Sequence, residues 1–184
     1  MESYFDIIRG GKAKARELFE KGIAPDPKSI EGYEFDGCNL FAASKLFGIR
    51  KFRKGFFRNS DGQLAGYNIP ISPAPDEGPW NAKPSNASPR HFGFYTVKSV
   101  DPTGRENLHS PALLLNYGEG NNSLSEGGPF LRDYLRQPFP SNPDIIIGAA
   151  YLALGPLRIF SNYFVLRRYG PKTFHGNRQL LLKS

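Results

Sequence analysis

Cysteine is almost absent from this chain. Cys38 stands alone among 184 residues, which excludes an intrachain disulfide and any metal site built on a cysteine pair. A lone thiol suits a reducing setting, and a cytoplasmic location is the simplest expectation. Histidine is scarce too: His91, His109 and His175 are scattered, with no pair at metal-ligand spacing. Long apolar runs are missing. The longest, residues 145–157, is interrupted by Gly and Pro and falls short of the roughly 18–20 residues of a membrane helix. No early stretch resembles a signal peptide. Acidic residues are outnumbered, 17 against 24 basic, for a net charge of +7. That permits an acidic partner without identifying one.

Aromatic residues, by contrast, are plentiful, with 15 Phe and 9 Tyr. They favour strands, fill cores and can line a pocket for an apolar ligand. The length fits one domain, residues 1–184, able to bury a core without disulfide staples.

The chain is organised around residues 30–57. Residues 32–37 alternate as a strand, with Tyr33 and Phe35 on one face and Glu34 and Asp36 on the other. Asn39 reads as a helix N-cap, residues 40–48 as a short helix and Gly48 as its stop. Residues 50–58 resume as a strand in which Phe52 and Phe56 share a face with Lys54 between them. Asn59–Gly62 is a turn signal, and 63–71 is the return strand of a hairpin.

An amphipathic helix is predicted over 3–21, capped by Ser3, stopped by Gly22 and weakened or split at Gly10-Gly11. Five prolines and Trp80 mark 72–91 as an irregular stretch. It reads either as a lid over a barrel mouth with Trp80 as its plug, or as a surface loop. Strands are expected at 91–100, 111–119, 144–154 and 161–169. Residues 130–139 are ambiguous, the spacing of Leu131 and Leu135 suiting one helical turn before Pro138. The Gly-rich stretch 118–128 lacks the Lys-Ser/Thr ending of a phosphate loop. The structure of the tail, 170–184, is left open.

The fold class is therefore mainly β: an antiparallel, closed or nearly closed barrel over 31–169. It carries an N-terminal helix and a short helix between its first two strands. Closure removes sheet edges, and an eight-stranded barrel has room for core side chains or one small ligand.

Several short motifs carry a resemblance. Leu18-Phe19-Glu20, then Gly32-Tyr33-Glu34-Phe35-Asp36-Gly37, then Gly48 to Phe56 occur in that order. Asp133-Tyr134-Leu135-Arg136, Ile145-Ile146-Ile147-Gly148 and Phe164-Val165-Leu166-Arg167-Arg168 follow. Together they resemble bacterial proteins of unknown function with a Gly-x-Trp-x-Gly motif shortly after an N-terminal helix. Here other aromatics stand in place of the Trp, and the motif is longer by one residue. The resemblance implies a lipocalin-like (calycin-like) barrel and assigns no catalytic residue.

The leading expectation is a binding protein that holds a small apolar or amphipathic ligand in the barrel, with no cofactor called for. Tyr33, Phe35, Tyr67, Trp80, Phe94, Tyr95, Tyr151 and Tyr163 are the candidate ligand-binding residues, although alternation alone leaves the inward face undecided. One alternative is an enzyme that uses Glu34 or Asp36 with Tyr67 or His91. Another is a nucleic-acid or anionic-surface binder working through Arg50, Lys51, Arg53, Lys54 and Arg58, interleaved with Phe52, Phe56 and Phe57. The order of elements lacks RNA-binding signatures, so a solvated barrel exterior is the preferred reading of that strand. Arg132, Asp133 and Arg136 suggest an ion-pair network. Cys38 reads as a small buried filler, and His175 as a residue of an exposed tail.

Overall fold

The computed structural model describes residues 2–40, 49–123 and 128–174. Helix α1, Tyr4–Lys21, begins at Ser3, whose side chain and that of Asp6 cap each other's backbone amides. At Gly11 the backbone leaves helical space (φ 62°, ψ −154°) and kinks the helix, as the glycine pair led one to expect. A four-residue helix, α2 (Pro27–Ile30), precedes the first strand. Of the helix expected over 40–48, residues 41–48 lie outside the described residues; Asn39, its expected cap, ends the first strand, and the Leu40 amide donates to the Tyr163 carbonyl at 2.9 Å.

The strands are β1 (Tyr33–Asn39), β2 (Lys51–Arg58), β3 (Leu64–Pro70), β4 (Phe92–Ser99), β5 (Leu113–Asn116), β6 (Leu131–Arg136), β7 (Ile145–Leu154) and β8 (Leu157–Pro171). Each pairs antiparallel with the next, and β8 pairs with β1 to close the barrel. Residues 131–136 are thus a strand and not a helical turn. Four-residue spacing also keeps Leu131 and Leu135 on one strand face, and ladders to β5 and β7 on both sides decide the matter. Strand β8 starts at Leu157, earlier than expected, because Gly155 (φ 57°) lets the β7–β8 hairpin turn tightly.

Directly paired residues share a face, so the register propagates the inward assignment around the barrel. Phe35 pairs with Lys54 and Lys54 with Asn68. Leu115 pairs with Asp133 and Asp133 with Ala150. One end of the interior is sealed by Ile30, Phe35, Phe56, Leu113, Ile146 and Leu166. The outer wall is also buried over much of its area. Helix α1 lays Ile7, Ala15, Leu18 and Phe19 on β7 and β8, where Ile147, Ala149, Tyr163 and Val165 point outward. Among the described residues no helix is long and apolar enough to cross a membrane.

Candidate functional site

Opposite the sealed end the barrel contains a cavity of about 130 Å³. Phe52, Phe92, Leu131, Ala150 and Phe164 give it apolar walls, and Asn39, Ile49, Ser161 and Asn162 stand at its rim. The wall is shaped by close packing on glycine. The Phe52 ring lies on Gly37 and the Phe164 ring on Gly148, so near that a β-carbon at either glycine would overlap the ring. The two rings meet edge to face at 5.6 Å.

The cavity also touches four polar side chains: Lys54, Asn68, Tyr117 and Asp133. Lys54 is 2% exposed and Asp133 4%. Their Nζ and Oδ2 atoms are 3.0 Å apart. Lys54 also donates to Asn68 Oδ1 at 3.0 Å and to the Tyr117 hydroxyl. That hydroxyl accepts a further bond from Asn68 Nδ2 and donates to Asp133 at 3.1 Å. Asn68 is fixed in turn by donating to the Gly93 carbonyl at 2.9 Å. The rings of Phe52, Tyr95, Tyr117 and Phe164 surround the ammonium at 5.0–5.3 Å, within reach of cation–π attraction. Burial pulls the Lys54 ammonium below the usual lysine range, and Asp133 opposes that shift. Burial, and after it Asp133, pushes the Tyr117 phenol well above its ordinary value, so it remains a hydrogen-bond donor.

Of the candidate ligand residues, Phe35 and Tyr95 face the interior, beside this group but not on the cavity wall. The others lie outside the barrel. Tyr33 is 39% exposed and stacks under Arg168. Tyr67 and Phe94 pack on the outer wall with Phe174, and Tyr151 and Tyr163 with Phe160. Trp80 is buried against Tyr4 and under Lys51. It holds residues 71–91 on the outer wall, and none of that segment lines the cavity, so it is not a plug over the mouth.

Glu34 and Asp36 are on an outer face, as strand alternation allowed, yet they are buried there. Arg53 reaches Asp36 at 2.8 Å and Glu34 at 3.8 Å. Tyr67 and Thr173 both donate to Glu34, at 2.7 and 2.6 Å, and His91 packs edge-on to Tyr67 at 4.7 Å. The residues of the enzyme alternative are therefore brought together, but under cover and away from the cavity. Arg50 and Arg58, at the ends of the basic run, are exposed, but its middle is not a solvated exterior. Lys51 donates to the Ala74 and Pro75 carbonyls, Arg53 pairs with carboxylates, and Lys54 points inward. Asp133 does not join Arg132 and Arg136. Arg132 pairs with Glu106 at 3.1 Å, and Arg136 bonds the Phe19 and Glu20 carbonyls. Cys38 is buried, and its thiol is pushed up by that burial. Among the described residues no group of three or more His, Cys, Asp or Glu could hold a metal ion. His175 lies outside the described residues.

Lys54 and Asp133 were missed as interior residues although the sequence marks both. Phe52-x-Lys54-x-Phe56 and Leu131-x-Asp133-x-Leu135 each place one charge between apolar neighbours two residues away. On a strand that puts the charge on the apolar face. Neither any protein-family model nor any curated protein matches the chain.

Proposed function

We propose that this lipocalin-like barrel, in a reducing compartment such as the cytoplasm, binds one small, mostly apolar molecule that carries a polar group. The observation that supports this reading is the cavity itself, with aromatic walls and a hydrogen-bonded Lys54–Asp133 pair at its base. Apolar pockets with a few fixed polar groups are the usual form of small-molecule sites. The apolar part of the ligand would rest on Phe52, Phe92, Phe164 and Ala150. Its polar group would meet Lys54, Asn68 or Asp133. Size limits the occupant: an apolar protein cavity on the order of 150 Å³ takes up benzene, so a cavity of about 130 Å³ suits a molecule of that scale. The nucleic-acid alternative loses support because Lys51, Arg53 and Lys54 are buried.

Phenol is a suitable probe, having one ring and one hydroxyl. Calorimetric titration is expected to give saturable binding with unit stoichiometry. Ala150→Leu places a larger apolar side chain in the void. It should weaken phenol by about tenfold or more, ~1.4 kcal/mol, while a thermal melt shows the fold retained. Equal affinity in the folded variant and the parent would contradict the placement of the ligand.

A further inference from the structure

Among the described residues lining the cavity, Lys54 alone carries a primary amine. An amine attacks carbonyl carbon only when neutral, and enclosure in an apolar site favours the neutral form. Lys54 has that enclosure and a carboxylate at 3.0 Å to receive its proton. The surroundings also suit a second cation in charge, one that keeps a single N–H, directed at Asp133, where the ammonium donates to Asn68, Tyr117 and Asp133. A protonated imine carries the same positive charge at the same nitrogen, inside the same ring of Phe52, Tyr95, Tyr117 and Phe164, and facing the same Asp133.

We infer that Lys54 forms a protonated imine with a small aldehyde or ketone held in the cavity. This rests on the cavity being a ligand site. The ammonium first passes a proton to Asp133. The neutral amine adds to the carbonyl carbon, and a proton shift from nitrogen to oxygen gives the neutral carbinolamine. Asp133 returns its proton to the departing hydroxyl, which leaves as water as the C–O bond breaks. The nitrogen–carbon double bond forms with its positive charge beside the restored carboxylate. The net change is ammonium plus carbonyl compound to iminium plus water, with charge conserved. Tyr117, hydrogen-bonded to both Lys54 and Asp133, holds the pair in place through these transfers.

A buried lysine that serves only as an ion-pair partner makes the opposite forecast, because burial then shields it from reagents. The test uses butanal with cyanoborohydride, which reduces an imine to a stable butylamine, and butan-1-ol, which has a similar shape and no carbonyl. Binding of butan-1-ol is measured by calorimetry, and labelling is located by peptide mass mapping in the folded protein and in urea. The expected result is that butan-1-ol binds, that Lys54 gains one butyl group faster in the folded protein than in urea, and that butan-1-ol suppresses this label alone. If butan-1-ol binds and Lys54 is shielded by folding while surface lysines react, the imine inference is overturned and the cavity reading stands. If butan-1-ol does not bind, the cavity reading fails and the inference falls with it.

Discussion

The most consequential residues are two opposite charges inside a mostly apolar barrel. A buried pair gains Coulomb energy and loses hydration, and the two nearly cancel, whereas an unpartnered buried charge is costly. Asp133→Leu is therefore expected to destabilise the protein by about 3–5 kcal/mol, since it strands the Lys54 ammonium among rings. The double variant Lys54→Met with Asp133→Leu should recover most of that loss. Urea denaturation of both checks this, and a double variant as unstable as the single would show that the pair is not the source of the cost. The two positions also mark the limit of what the sequence conveyed. Strand alternation separates faces without saying which is inward. Here the outer face is nearly as apolar as the inner one, because α1, residues 71–91 and residues 172–174 cover it. Tyr67, Trp80 and Tyr163 therefore looked as much like lining residues as Phe52 and Phe164. The lone charges at Lys54 and Asp133 were the better guide.

At the scale of elements, strand positions were readable from alternation and turn signals. The exceptions have local causes: β6 hides behind a spacing shared by helix and strand, and β8 extends through a hairpin made tight by Gly155. How α1 docks was not readable, because its partners come from distant segments. His109 shows this. Its ring packs edge-on to Phe19 of α1 at 5.0 Å and to Tyr134 of β6 at 5.1 Å, and its Nε2 lies 2.7 Å from the Tyr151 hydroxyl of β7. Burial lowers the His109 pKa, and Arg136 lowers it further. The unfolded chain, near the ordinary value of about 6.5, then takes up the proton more readily than the folded one. His109 thus supports the fold fully above about pH 6.5, and that support declines as the pH falls below it. The urea midpoint should drop across this range, and His109→Phe should remove that part of the slope. An unchanged slope in the variant would mean that His109 is equally basic in both states.

For the whole molecule, closure of eight strands in chain order produces two buried surfaces with different roles. The outer one is filled by a helix, a loop and a tail segment, and its carboxylates Glu34 and Asp36 are matched by Arg53, Tyr67 and Thr173. The inner one is filled at one end and left open at the other, where the apolar wall meets Lys54 and Asp133. The proposed ligand would sit inside the barrel, at the end away from Ile30. Methyl-resolved NMR during a phenol titration tests this most directly. The expected result is saturable shifts at Ala150, Leu131 and Ile49, with Ile146 and Leu166 at the sealed end and Ala149 and Val165 on the outer wall largely unmoved. Shifts confined to the outer wall, or none at any phenol concentration the fold survives, would contradict a ligand site inside the barrel.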